Sequence, residues 1–512
     1  MVAKVETGAL SGVAAWGVVV EVSETRGLPG LDVVGQPEAS LRESRSRVLA
    51  ALQNGGFKLP ERRFLINLAP ADLRKSGSSF DLAIAIALLS ACAFCAPNWL
   101  SDTLILGELS LDGQLRSVRG ALAHLRGGLQ RGLRAAIIPD ADARWASLVP
   151  NLEVYTAATL TDVVNFLNGV QQLPRARPAD WSAPAEPRCD LSEVCGQQTA
   201  KRALEVAASG CHNLLMIGPP GTGKTMLASR LPHLLPEPTP DERLEIATIA
   251  SVGALAHSDP LRRPFRAPHH SCSDVALIGG GTPVRPGEVT LAHGGVLFLD
   301  ELPEFRRAAI EALRPTMESG LAVIVRARER VSMPARPLIV AAMNPCPCGY
   351  SGDAKRICRC SPQAVERYRA RVSGPVIDRF DIHVQLPPVP AETLNTGGSG
   401  ETSEAVRARV VRAQARARAR SASTPSGTAA TVPLLKQLQP AARSLLLHSI
   451  DALGLSLRAY AKVLRVSRTI ADLADSDVVH SEHVAEAIQY RWLDREQTNA
   501  HWSAAGERAL PA

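Results

Sequence analysis

The chain has 512 residues, too many for one hydrophobic core, so two to four domains are expected and three are predicted. Its 46% hydrophobic and 21% charged content exclude a disordered or fibrous protein, and its longest apolar stretch, Leu82 to Ala96, is shorter than the roughly 20 residues of a membrane span. A net charge of +7 permits a polyanionic partner without requiring one.

The opening MVAKVETGAL carries one lysine and no apolar stretch before a cleavage site, which predicts a cytoplasmic protein with no secretion signal and no membrane partner. Ten cysteines in a reducing compartment are expected as thiols or metal ligands. Residues 1–170 alternate strands (Gly17–Val22, Arg63–Leu68, Leu104–Leu109, Ala135–Pro139) with helices (Glu38–Gln53, Phe80–Phe94, Gly120–Gly132), the pattern of an α/β or α+β domain. A proline-rich stretch without periodicity marks a linker at 171–189. Residues 190–390 contain continuous apolar runs at Asn213–Ile217, Gly295–Leu299 and Leu338–Ala342, as in a parallel sheet covered on both faces. A second linker falls at 391–403, and residues 404–495 read as helices only (Glu404–Arg420, Leu434–Gly454, Ser456–Ala474, Ser481–Trp492), followed by a tail at 496–512.

Chemistry concentrates in the middle third. Gly218-Pro219-Pro220-Gly221-Thr222-Gly223-Lys224-Thr225 sits between a strand and a helix, the form of a P-loop. Glycines let successive backbone N–H groups face phosphate oxygens at a positive helix end. Lys224 is expected on the β- and γ-phosphates of ATP, and the Thr225 hydroxyl on Mg²⁺. The run Gly295-Val-Leu-Phe-Leu-Asp300-Glu301 ends a buried strand on two acids. Asp300 is the expected Mg²⁺ holder and Glu301 the base that polarises water, so hydrolysis is expected as well as binding.

Three further features carry charge or ligands. Cys346, Cys348, Cys358 and Cys360 form a C-x-C…C-x-C cluster suited to structural Zn²⁺, with reduced, unligated thiols as the alternative. Arg326, Arg328 and Arg330 alternate in VIVRARERVSM, within a hairpin predicted over Val323–Met333, and are expected on one strand face that contacts a phosphate backbone. A solvated hairpin fits the same charges. Arg412, Arg416 and Arg420 recur every four residues on one helix face, either toward DNA or toward solvent. The pair His269–His270 is expected as a loop contact, not a metal site.

On these motifs the central domain resembles the AAA+ ATPases, and the resemblance supplies further roles. Asn344, closing PLIVAAMN, matches the sensor that orients the attacking water; Arg379, in GPVIDRFD, matches the arginine finger that enters a neighbour's site; Arg458, in LSLRAYAKVLRV, matches the second sensor on the helical lid. An arginine acting on a neighbour implies head-to-tail contacts that close into a ring, and the family expectation is a homo-hexamer. The insert PFRAPHHS…ALIGGG…PGEVTLAHGG resembles the magnesium chelatase ATPase subunits.

Residues 68–85 and 107–120 resemble the Lon protease domain, of ribosomal S5-type α+β fold. Ser79 falls at the protease's serine position, but the lysine base is replaced by Leu122, so a non-proteolytic scaffold is expected. The whole arrangement is similar to the ComM/YifB family. That resemblance implies a DNA helicase that drives branch migration on single-stranded and branched DNA during natural transformation; a chelatase-type ATPase component and a protein-remodelling unfoldase are the alternatives.

Overall fold

The computed structural model describes residues 2–35, 39–71, 75, 77–177, 189–255, 262–326, 329–352, 356–390, 400–422, 434–453 and 456–493. Most of both expected linkers, the tail at 496–512 and Arg328 lie outside them.

The first part of the chain builds a seven-stranded mixed sheet from β1 (Val2–Ser11), β2 (Ala14–Thr25), β3 (Gly30–Val34), β4 (Arg63–Ala69), β5 (Thr103–Ile105), β6 (Ala135–Pro139) and β7 (Glu153–Ala157), in the order β3-β4-β2-β1-β5-β6-β7. Gly12, at φ +62°, makes the tight turn between β1 and β2. Helices α1 (Ala39–Asn54) and α2 (Asp81–Ala91), with α4 (Leu160–Leu167), cover one face, where Val18, Val20 and Val22 point inward at period two. Helix α3 (Ala121–Gln130) covers the other. The strand expected over Leu104–Leu109 is split: β5 ends at Ile105, and Glu108–Leu109 pairs instead with Leu115–Arg116 as a separate ribbon.

The middle of the chain is a mixed α/β unit around a five-stranded, all-parallel sheet of β8 (Leu214–Ile217), β9 (Phe265–Arg266), β10 (Val296–Leu299), β13 (Leu338–Met343) and β14 (Ile382–Gln385). Its order is β9-β10-β13-β8-β14. The first strand, β8, lies between the last two, so strand order reverses beside it and opens a crevice at its C-terminal end. Leu214 and Met216 face one core while Leu215 and Ile217 face another, which explains the unbroken apolar run. Helices α5 (Gln198–Gly210) and α6 (Lys224–Leu234) lie on the first face, and α10 (Arg307–Ser319) on the second. Between β8 and β10 the chain also forms α7 (Pro240–Val252), α8 (Asp274–Ile278) and α9 (Glu288–Leu291). β11 (Leu321–Arg326) and β12 (Glu329–Pro334) form an antiparallel hairpin before β13, and α11 (Pro362–Arg369) and α12 (Gly374–Ile377) precede β14.

The last part is helical: α13 (Ser403–Ala422), α14 (Pro440–Leu453), α15 (Leu457–Leu473) and α16 (Ser481–Gln489). Val410, Leu446, Val463 and Val484 share one core with Leu214 and Met216, so these helices pack directly on the parallel sheet unit. The N-terminal sheet is docked as well. Gly120 N donates to Ser251 O (3.0 Å), Arg119 Nε to Val252 O (2.6 Å) and Arg126 Nη1 to Thr248 Oγ1 (3.0 Å), while Leu122 and Leu125 of α3 share a core with Ala247 and Ala250 of α7.

Candidate nucleotide site

The phosphate loop leaves β8 at the crevice. Gly221 (φ +79°) and Gly223 (φ +89°) take left-handed backbone, and a Cβ on either would meet nothing within 4 Å, so the inside of the turn is open space. Lys224 opens α6 with its ammonium buried. Nζ donates to Gly218 O (2.7 Å), Pro219 O (2.9 Å) and Asn344 Oδ1 (3.1 Å). Burial pulls this lysine below its usual range, against the opposing pull of Asp300 and Glu301. Thr225 Oγ1 donates to Asp300 Oδ2 at 2.8 Å. Lys224, Thr225, Asp300 and Asn344 therefore converge from three parallel strands and one helix end.

Glu301 follows with a left-handed backbone (φ +52°), unusual for a residue with a side chain. Its Oε2 lies 3.1 Å from His270 Nδ1. An open glycine cradle at a helix N-terminus, a buried lysine and a hydroxyl–carboxylate pair fit a nucleoside triphosphate and Mg²⁺: the loop N–H groups and Lys224 would hold phosphate oxygens, and Thr225 with Asp300 would hold the ion, which supplies charge neutralisation. Gln197, which sequence reasoning missed, ties the loop down by donating from Nε2 to Thr222 O (3.3 Å) and Pro387 O (2.7 Å).

The two arginines do not join this cluster. Arg379 lies between α12 and β14; its carbonyl accepts from Asn213 Nδ2 (3.4 Å) at the N-terminal end of β8, opposite the phosphate loop. Its side chain, only 11% exposed, is paired with Glu318 at 2.5 Å. Arg458 is exposed on the first turn of α15 and has no partner among the described residues. The helical part reaches the GPVIDRFD segment through other residues. Lys462 Nζ donates to the carbonyls of Asp378 and Phe380, Arg491 Nη1 donates to Phe380 O (2.7 Å), and Lys462 and Arg465 approach Asp381 Oδ1 at 3.5 and 3.6 Å.

Beside the phosphate loop lies the cysteine loop. A Cβ on Gly349 would stand 2.7 Å from Pro220 Cδ, so the two loops pack backbone to ring. Sγ of Cys346, Cys348 and Cys358 are 3.3, 3.5 and 3.7 Å apart pairwise, and with Cys360 all four lie within 4.8 Å. Zn–S bonds of about 2.3 Å set tetrahedral S···S edges near about 3.8 Å, so the set fits zinc. Backbone hydrogen bonds from Tyr350 and Arg359 hold the Cys348 thiol down at about 6.

Two expectations about arginines need correction. β11 ends at Arg326 and β12 starts at Glu329, so Arg326 and Arg330 stand on different strands. Arg330 faces Val325 across the ladder while Arg326 faces Glu329, which puts the two arginines on opposite faces of the hairpin. Arg326 donates to Thr282 Oγ1 at 2.8 Å; the outward face presents Val323, Val325 and Arg330. In the basic helix α13, Arg416 and Arg420 are paired with Asp472, and Arg416 also with Asp477, which leaves Arg412 exposed. In the N-terminal sheet Ser79 is half-buried and Leu122 is fully buried.

Models of the magnesium chelatase subunit ChlI match residues 20–142 and 190–394, and a model of that subunit's C-terminal part matches 400–491. The chain is 45% identical to the competence protein ComM of Haemophilus influenzae over 493 residues, covering 94% of this chain and 96% of that one. It is 44% identical to the uncharacterised protein YifB of Escherichia coli, covering 96% and 97%. Similarity to the magnesium-chelatase 38 kDa subunit of Rhodobacter capsulatus is 26% and covers 41% of this chain and 63% of that subunit.

Proposed function

The chain belongs to the ComM/YifB family of magnesium chelatase-like ATPases, and from that premise we propose that it is an ATP-driven motor that moves branched DNA, assembled as a closed ring. The observation that carries the hydrolytic half is the direct contact of Lys224 with Asn344 and of Thr225 with Asp300 at the point where strand order reverses. Lys224 binds the β- and γ-phosphates, Thr225 and Asp300 hold Mg²⁺, Asn344 orients the attacking water and Glu301 takes its proton. Arg379, at the far end of the sheet, acts on the nucleotide of the adjacent copy.

The DNA half rests on the near full-length likeness to a competence protein and on the hairpin β11–β12, whose outward Val323, Val325 and Arg330 would line the ring channel. Repeated in each copy, Arg330 adds one positive charge per subunit along the strand path. Zn²⁺ held by Cys346, Cys348, Cys358 and Cys360 would pin the loop that packs on Pro220. Identity of 45% over 94% of the chain to a competence protein, against 26% over 41% to a magnesium-chelatase subunit, favours this reading over a chelatase component.

Unwinding of a labelled three-strand or four-way junction by the purified protein with ATP tests it, with Lys224→Ala as the control. Junction-independent ATPase activity with no unwinding would overturn the DNA half and leave the nucleotide site standing.

A further inference from the structure

Arg379 is gripped through its backbone. Its N–H donates to Val376 O (3.0 Å), and its carbonyl accepts from Asn213 Nδ2 (3.4 Å) at the start of β8. The carbonyls on either side, those of Asp378 and Phe380, both accept from Lys462 Nζ, and Phe380 O also accepts from Arg491 Nη1 at 2.7 Å. Three consecutive carbonyls are thus fixed, two of them by cations of the helical part. Lys462 stands on the second turn of α15 and Arg491 just past α16, so the hold comes from two separate helices.

These cations are kept at a cost. Both are buried, and burial pushes the Lys462 ammonium down to about 8. Their carboxylate partners stand off at 3.5 Å (Asp381 from Lys462) and 3.9 Å (Asp378 from Arg491), farther than the carbonyls they serve. Apolar side chains of similar size would fill both places without that penalty. What the charges add is strong donors to the backbone flanking one residue. That residue's own side chain is incompletely satisfied: Arg379 Nε is buried with no hydrogen-bond partner among the described residues. A guanidinium that must leave Glu318 to act elsewhere takes its direction from its backbone.

We propose that Lys462 and Arg491 are positioning residues for the adjacent copy's active site: by fixing the backbone on both sides of Arg379, they set where its guanidinium arrives at that copy's nucleotide. The helical part of one copy then governs hydrolysis in the next. This rests on Arg379 acting across the interface, as read above.

Steady-state ATPase of mixed rings tests it. Lys462→Met keeps an unbranched side chain and loses the donor. Alone, its kcat falls about tenfold to a hundredfold, the order of cost of a misplacement of about 1 Å, while KM stays within about twofold because its own site is untouched. Mixed with Glu301→Gln, whose Arg379 is correctly held, it regains turnover. Mixed with Arg379→Ala it regains none, because both fail to deliver the same arginine. Arg491→Met behaves the same way in both mixtures. Binding of a fluorescent ATP analogue counts the folded sites, so that each rate is expressed per folded site. Lys462→Met that turns over at the wild-type rate, that Glu301→Gln fails to rescue, or that Arg379→Ala rescues overturns the positioning role, with Arg379 left standing if Arg379→Ala and Glu301→Gln restore each other. If those two fail to restore each other, the shared site falls and this inference with it.

Discussion

Arg379 is the residue whose assignment has the sharpest consequence. In its own chain it donates to Pro375 O and is paired with Glu318, which is 58% exposed, so Arg379→Ala removes two contacts worth about 1–2 kcal/mol together and should leave a folded protein that binds ATP. In a neighbour's site an arginine finger is worth about a 10³- to 10⁵-fold rate increase, about 4–7 kcal/mol of barrier. Arg379→Ala and Glu301→Gln rings should each be nearly inactive alone. Mixed in equal amounts, an interface works where an Arg379→Ala copy, with its base intact, adjoins a Glu301→Gln copy that lends the arginine. Random assembly gives one half times one half, so about a quarter of interfaces and about a quarter of wild-type turnover should return. The assay is steady-state ATPase after subunit exchange, across a titration of mixing ratios with a maximum near equal amounts. A mixture no more active than its components, or an Arg379→Ala protein that hydrolyses at more than about a tenth of the wild-type rate, refutes the shared site.

Glu301→Gln keeps the size and loses the proton acceptor, so ATP affinity should stay within about threefold while kcat falls about 10²- to 10⁴-fold, read by nucleotide titration and phosphate release. Cys358→Ser should lower bound zinc from one ion per chain by elemental analysis of protein purified without chelator, and should weaken ATP binding because the loop packs on Pro220; zinc-free wild type with full ATP affinity counts against this. Burial pushes the Lys462 ammonium down from 10.5 to about 8. Between those values the unfolded chain binds more protons than the folded one, so this group's cost is fully present below pH 8 and disappears as pH rises toward 10.5, a gain of about 3 kcal/mol. The stability of wild type relative to Lys462→Met, from denaturant midpoints, should rise across that window, and a flat difference would remove the assignment.

What the sequence made legible follows the range of the interactions. The phosphate loop, the acids after β10 and Asn344 were readable because each is a strand end with its own local pattern, and parallel pairing of β8, β10 and β13 brings those ends together. The hairpin over Val323–Met333 was expected, but its arginines were misplaced because nothing in Arg-Ala-Arg-Glu marks a turn of the glycine or asparagine type, so the point of reversal was not located and the three were put on one strand face. The spacing of Arg412, Arg416 and Arg420 was right, but the aspartates that neutralise two of them come from more than 50 positions along the chain. Lys462 and Arg491 gave no signal, because their partners are backbone carbonyls supplied by distant elements; His270 was expected only as a loop contact, and its partner Glu301 lies 31 positions along the chain. β1 escaped notice because small residues break its alternation; Gly8 is small where His124 packs on it, with a Cβ there falling 2.6 Å from His124 Nδ1.

Leu122 joins the sequence and structural arguments about the N-terminal sheet. Resemblance to Lon asks for a lysine at this position, and the structure puts Leu122, fully buried, in the core that α3 shares with Ala247 and Ala250 of α7. The side chain that departs from a serine–lysine dyad is thus the one that helps seat this sheet on the ATPase. Restoring the lysine should lose the docking without gaining a protease. A lysine here would sit among Leu104, Leu125 and Ala250, and a shift of three units or more in such surroundings costs about 4 kcal/mol. Leu122→Lys should therefore open the α3–α7 junction to limited proteolysis at temperatures where wild type resists, with no cleavage of casein. A variant that stays docked, or one that cuts casein, would show that the leucine has no part in holding the two units together.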